Sequence, residues 1–300
     1  MNDGGGTCFG FSVQAPFPLL ALRSGDGAPL TVIEDAGPPE DVGEPLLRWV
    51  DRDHASVHLY ERGDGYAMWV EGDDWFSIDP HAPSITCISG DGGPRREARI
   101  FGLPTALCYM THGDIAVHAA AVDVDGAALL LAAPGRHGKT TLAAAFTGLG
   151  HRLLAEDTTC FRPSPGPAVL PGLAMLRLRP DVRDHVELPN TTVIAEDPER
   201  VFVLLDESIR GDNSPVPLAG IVFLRIWDRD EITIERVAAE RVIPDLWTLT
   251  FNLPNDRSRA DCFQAIAGLA TSVPIWNLHR RLSFDLLPAV IERIISTCLA

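Results

Sequence analysis

Residues 132–146 read AAPGRHGKTTLAAAF, and their types and spacing suit the binding of a phosphorylated ligand. Gly138 lets the backbone approach an anion, Lys139 can reach the β and γ oxygens of a nucleoside triphosphate, and the Thr140 hydroxyl can ligate Mg²⁺. Backbone N–H groups at the start of a helix, here the alanine-rich run from Lys139, form an anion hole to which the helix dipole adds. Gly135, Arg136, His137 and Thr141 complete the candidate phosphate contacts. Ala133 stands where the pattern G-x-x-x-x-G-K-[ST] has its first glycine. That substitution matters only if the position needs a positive φ or close backbone contact, and the end of a strand needs neither. Arg136 either points outward or clamps phosphate through its guanidinium fork. Gly-Lys-Thr alone is weak; the stronger signal is its position where the apolar run ALLLAA (128–133) becomes a helix.

The local charge agrees with an anion. The 300-residue chain carries a net charge of −16, which argues against nucleic acid, because phosphate backbones need basic surfaces. Although 41 of the 300 residues are acidic, none lies between Gly126 and Ala155, where Arg136, His137, Lys139, His151 and Arg152 occur. No apolar run approaches the roughly 18 residues of a membrane span. No basic flank precedes an apolar stretch near the start, so we expect no secretion signal, no membrane partner and a cytoplasmic protein. Six scattered cysteines without a C-x-x-C read as free thiols rather than disulfides or structural zinc.

The elements around the loop bring further groups to it. The segment IAVHAAAVDVDGAALLLAAPG (115–135) reads as strand, Asp-Gly turn, strand. If Asp125-Gly126 is a two-residue turn, Val124 faces Ala127, Ala121 faces Leu130, and His118 faces Ala133 at the start of the loop. A histidine in an Ala/Val strand is ordinarily a satisfied core residue; beside phosphates it becomes a candidate for charge stabilisation or proton handling. A helix from Lys139 to Leu149 should end at Gly148 and Gly150. HRLLAED (151–157) is then a short strand finishing on Glu156 and Asp157, at the same sheet edge as the loop. One carboxylate there can hold Mg²⁺ and a second can take a proton from an attacking hydroxyl. Asp228, at the end of IVFLRIWD, is a rival Mg²⁺ carboxylate, but Arg225 within that run and the charged residues after it fit an ordinary strand and turn. Arg177 and Arg179 are candidates for γ-phosphate or acceptor contacts, or else alternating arginines on an exposed strand.

The remaining pattern predicts two parts. Residues 1–95 read as a small β-rich domain, with a hairpin over 57–70 around Gly63-Asp64-Gly65, turn or surface residues at Asp73-Asp74 and His81, and no chemistry. The Gly/Pro break at 90–96 is the expected boundary. Residues 96–300 read as an α/β unit. It comprises a proline-interrupted helix near 97–113, strands near 174–179, 201–206, 220–227 and 231–237, and helices near 256–271 and 285–298. The segment 205–217 has the composition of a lid or of a plain surface loop.

The order of strand histidine, hairpin, G-K-[ST] loop, helix and then GHRLLAED (150–157) resembles the HPr kinase/phosphorylase group. PGLAMLRLRPDV (171–182) is similar to a segment of the HPr-kinase-related proteins associated with peptide natural products. The resemblance covers about 115–182 and does not extend to 1–95. It implies an α/β fold with a mixed, partly antiparallel sheet, a PEP-carboxykinase/HPr-kinase-like P-loop core behind the N-terminal β-rich domain. It also implies ATP and Mg²⁺ as cofactors, with Lys139 and Thr140 on phosphate and metal. Asp157 would be the metal ligand, Glu156 the catalytic base and His118 the active-site histidine. The chain departs from the pattern in Glu156, a methylene longer than the usual Asp, in Ala119 after His118, and in lacking an Arg-Gly-rich C-terminal segment. The last point argues against HPr as acceptor and for a Ser/Thr hydroxyl on a peptide or small protein, such as a ribosomal peptide precursor. The alternatives are a small-molecule alcohol kinase, or a nucleotide-binding regulator or peptide scaffold weakened at Ala133, Arg136 and Glu156. A homo-oligomer is compatible with all of these.

Overall fold

The computed structural model describes residues 5–35, 37–39, 41–50, 55–72, 74–88, 93–111, 113–163, 166–253 and 255–300. The first eight strands are β1 (Gly6–Cys8), β2 (Phe11–Gln14), β3 (Ala28–Glu34), β4 (Leu47–Val50), β5 (Ser56–Arg62), β6 (Gly65–Val70), β7 (Asp74–Asp79) and β8 (Ser84–Ile88). They form one sheet in the order β1-β2-β3-β8-β7-β6-β5-β4. The hairpin expected over 57–70 is β5–β6, with Arg62 opposite Gly65 across Gly63-Asp64. Asp73 and residues 90–92 of the 90–96 break lie outside the described residues.

Two helices follow, α1 (Pro94–Ile100) and α2 (Leu103–Met110), separated at Phe101-Gly102 because Pro104 must sit in a first helical turn. Then come β9 (Ile115–Val124), β10 (Ala127–Ala132), α3 (Lys139–Gly148), β11 (Arg152–Ala155), β12 (Thr158–Arg162) and β13 (Ala168–Leu170). A side layer contains β14 (Met175–Leu178), α4 (Pro180–Arg183), β15 (Thr191–Glu196), β16 (Val201–Leu205) and α5 (Glu207–Arg210). The chain continues through β17 (Val216–Ile226), β18 (Thr233–Arg236), α6 (Ala239–Trp247), α7 (Asp256–Ser272), β19 (Ile275–Arg280) and α8 (Leu287–Cys298). The central sheet runs β10-β9-β12-β13-β17-β19-β18, and β14-β16-β15 form a small third sheet. β17 pairs in parallel with both β10 and β19, whereas β9 pairs antiparallel with β10, β11 and β12. The fold is therefore mixed α/β with mixed sheets. Among the described residues, no helix is long and apolar enough to cross a membrane.

The β9–β10 hairpin has the register that its turn dictates. Asp125 and Gly126 both have positive φ, 54° and 86°, as a two-residue turn matched to strand twist requires. Ala127 faces Val124, Leu130 faces Ala121 and Ala132 faces Ala119. Successive residues serve two cores. Ala120, Val122, Leu129 and Leu131 pack towards α3 and α8. Ala119, Ala121, Leu130 and Ala132 join a cluster that also contains Phe76, Ile85 and Tyr109. A central strand buried on both faces reads as a continuous apolar run, which is why this stretch shows no polar alternation.

That shared cluster ties the first sheet to the second, and Arg23 reinforces the tie. Its side chain is buried, and its guanidinium donates to the carbonyls of Gly172 (2.7 Å), Leu153 (2.6 Å) and Arg210. The 205–217 segment is pinned rather than lid-like: Arg210 donates to Leu22 O, Arg152 to Asp212 O, and Asn213 is buried. Each buried carbonyl stripped of its donor costs about 1–3 kcal/mol. Arg23→Met should therefore lower the unfolding free energy by about 3 kcal/mol or more, read from the urea midpoint. A loss below about 1 kcal/mol would show that these carbonyls do not depend on Arg23.

Candidate active site at the phosphate loop

β10 delivers the loop and α3 carries it away. Gly138, the residue before α3, has φ 78° and ψ 25°, a left-handed conformation that glycine alone adopts without cost. An added Cβ there would also lie 2.8 Å from Arg280 Nη2. Arg136 takes a positive φ of 63°, uncommon outside glycine, and lines the cleft in front of the loop. Ala133 is buried in the core beside α3 and is not among the positive-φ residues, so the missing first glycine leaves no backbone requirement unmet. The His137 ring turns back, with Nδ1 2.8 Å from Gly135 O.

Lys139 and Glu156 are deeply buried, with 5% and 7% of their surface exposed. Lys139 Nζ donates to Ala133 O (2.6 Å) and Pro134 O (3.1 Å) and lies 3.0 Å from His118 Nε2. An ammonium can only donate, so Nε2 is the acceptor and the His118 proton sits on Nδ1. That nitrogen is 3.1 Å from Asp157 Oδ1. Strand pairing makes this contact: Thr158 faces His118 across β12–β9, which sets Asp157 just beside the ring. Arg177, on β14, forks across the two acids, from Nε to Glu156 Oε2 (3.0 Å) and from Nη2 to Asp157 Oδ2 (3.0 Å). The Thr140 hydroxyl donates to Glu156 Oε1 at 2.5 Å. Thr140, Lys139, His118, Asp157, Arg177 and Glu156 thus form one contact chain.

The cleft, of about 1390 Å³, is lined by Gly135, Arg136, Gly138, Lys139, Thr140, Thr141, His118 and Asp157, so it gathers most of the residues singled out in the sequence. Arg177 and Arg179 line it too, although Arg179 pairs with Asp181. Asp228 is exposed and does not line it, and Arg225 is taken up by Asp245 and Asn277. β17 borders the loop strand, but it ends at Ile226, and Asp228 lies in the turn beyond it.

Arg280 is the residue that sequence reading missed. It ends β19, is 3% exposed, and donates from Nη2 to His137 O at 3.1 Å. Burial pulls its guanidinium down to about 10, so it remains charged at neutral pH, and its Nε has no partner among the described residues. It puts a fixed positive charge under the loop that precedes α3. The only signal available in the sequence was a basic pair closing an apolar run in IWNLHRR.

The donor set suits Mg²⁺. A threonine hydroxyl and two carboxylates are the hard oxygen ligands it prefers. Among the described residues no group of three or more His, Cys, Asp and Glu forms a metal cage. An ion here would complete its shell with phosphate oxygens and water, as Mg²⁺ commonly does.

No family model and no curated protein matches the chain. Among solved structures, the HPr(Ser) kinase/phosphatase from Coxiella burnetii is similar with a TM-score of 0.33 and 8% identity, over 62% of this chain and 99% of that chain. This is a weak similarity, and the chemistry below rests on the side chains of the chain itself.

Gly138→Ala should both strain the backbone and push against Arg280. We expect nucleotide affinity, measured by calorimetry, to fall at least about tenfold, or 1.4 kcal/mol. Unchanged affinity would mean that phosphate does not bind at this turn.

Proposed function

We propose that the protein is an ATP- and Mg²⁺-dependent kinase that phosphorylates a Ser/Thr hydroxyl of a peptide or small protein. The observation that carries this is the unbroken contact chain from Thr140 through Glu156, Arg177, Asp157 and His118 to Lys139, set at a strand-to-helix phosphate loop.

Lys139, Arg280 and the N–H groups at the start of α3 bind and orient the triphosphate, and offset charge that spreads over the transferred group. Mg²⁺, when bound, neutralises the β and γ oxygens. The resemblance assigns the proton to Glu156 and the metal to Asp157; the contacts favour the exchange. Glu156 is buried and already receives the Thr140 hydroxyl, the pairing a Mg²⁺-holding threonine makes with its strand carboxylate. Asp157 lines the cleft and has His118 behind it, so it can meet an incoming hydroxyl. The hydroxyl oxygen bonds to the γ phosphorus, the bond to the β–γ bridging oxygen breaks, ADP leaves with that electron pair, and Asp157 accepts the proton.

Thermal-shift measurement tests the nucleotide half of this reading: ATP with Mg²⁺ should raise the melting temperature and Lys139→Ala should abolish the rise. For transfer, Asp157→Asn should lose about 10²-fold or more in kcat while keeping nucleotide affinity, and Glu156→Gln should instead raise the Mg²⁺ concentration needed for nucleotide binding. If Glu156→Gln loses turnover at unchanged Mg²⁺ dependence, and Asp157→Asn does the reverse, the roles are those of the resemblance.

A further inference from the structure

The cleft is larger than a nucleotide needs. Ligand pockets typically enclose about 300–1,000 Å³, and this one holds about 1390 Å³. Its two walls differ in chemistry. One is the phosphate loop with its arginines. The other is apolar, with Trp49, Leu103, Met110, Phe251 and Leu253, all only partly buried.

Two details of that second wall point to its occupant. Four consecutive residues of β4, Leu47, Arg48, Trp49 and Val50, line the cleft. Successive strand residues point to opposite faces, so the cleft meets the edge of β4 rather than a face. Among the described residues that edge is open: β4 is the last strand of its sheet, paired only with β5, and Val50 is 63% exposed. An open edge offers a row of main-chain donors and acceptors to another extended chain. The wall is also continuous with the reacting groups. His118 N donates to Leu249 O (2.8 Å) and Phe251 N to Ala116 O (2.9 Å), so the segment 249–253 runs alongside the strand that carries His118.

We infer that this wall is a docking groove for an extended peptide. The peptide adds as a strand to the edge of β4, sets alternate apolar side chains against Trp49, Met110, Phe251 and Leu253, and so brings a hydroxyl towards Asp157. A small alcohol would use neither the edge nor the apolar wall. The inference rests on the kinase reading for what the peptide delivers, but not for the docking itself.

The test uses the whole chain and fluorescein-labelled 12-residue peptides, each with a central serine. One set carries Leu, Val or Phe at alternate positions and the other carries Gly, Asn or Asp. Binding is followed by anisotropy, with and without Mg²⁺ and a non-hydrolysable ATP analogue, and transfer is followed separately by mass. The apolar set should bind about tenfold or more tightly than the polar set. N-methylation of alternate residues in one frame should weaken binding about tenfold, while methylation in the shifted frame should not. Leu253→Asp, in a partly exposed loop, should raise the peptide Kd and leave nucleotide affinity unchanged. Binding with this profile but without phosphate transfer supports the groove and sinks the kinase reading. Transfer that ignores both flanking residues and N-methylation keeps the kinase reading and overturns the groove. Failure of every peptide to bind, or a self-association that occupies the wall and that peptides cannot displace, overturns it as well.

Discussion

Two carboxylates held side by side and partly buried are an electrostatic liability, and the site is arranged around its relief. Glu156 and Asp157 are chain neighbours, and Glu156 is buried, so each would oppose ionisation of the other. Arg177 spans both acids with a donor to each. Lys139 approaches Asp157 from the other side through His118. A planar guanidinium holds its donors in a fixed fork that suits two adjacent carboxylates, whereas an ammonium on a flexible stem fixes no such geometry. Arg177 must therefore stand over the end of β11, and the small sheet β14-β16-β15 holds it there, packed into the same apolar cluster as α3.

The same constraint organises charge across the molecule. In a chain of net charge −16, positive charge is concentrated locally in the cleft, where low-dielectric walls focus its field. Arg136, Lys139, Arg177, Arg179 and Arg280 all line it. Arg280 is the most deeply buried of these, and the carbonyl of His137 accepts from its guanidinium. The opposite wall of the cleft, at Trp49, Leu103, Met110, Phe251 and Leu253, is apolar, with the charged Arg48 beside Trp49.

Much of this could be read along the chain because it depends on short-range rules. The Asp-Gly turn defines a hairpin register without knowledge of anything else, and that register holds as far as Ala132 opposite Ala119, the neighbour of His118. The short strand after the helix brought Glu156 and Asp157 to the same edge. The helices α3, α7 and α8 followed from periodicity and stop signals. Less visible were β15, β19 and α6. In α6 a proline, Pro244, interrupts the usual signature, and β19 is a short strand whose pairing with β17 lies more than fifty residues away in sequence. Arg280 was hidden for the same reason: nothing local marks which arginine will be buried beneath a loop from another part of the chain.

The sequence by itself determined the strand-to-helix loop, its helix, the hairpin and the neighbouring acids, because turn chemistry, glycine placement and short apolar runs act over a few residues. Tertiary structure alone decided which carboxylate meets Thr140 and which meets His118, that Arg177 joins them, that Arg280 lies under the loop, and that the edge of β4 borders the same cleft. Those contacts depend on packing between elements far apart in the chain, where burial and long-range pairing, not local propensity, select the partner.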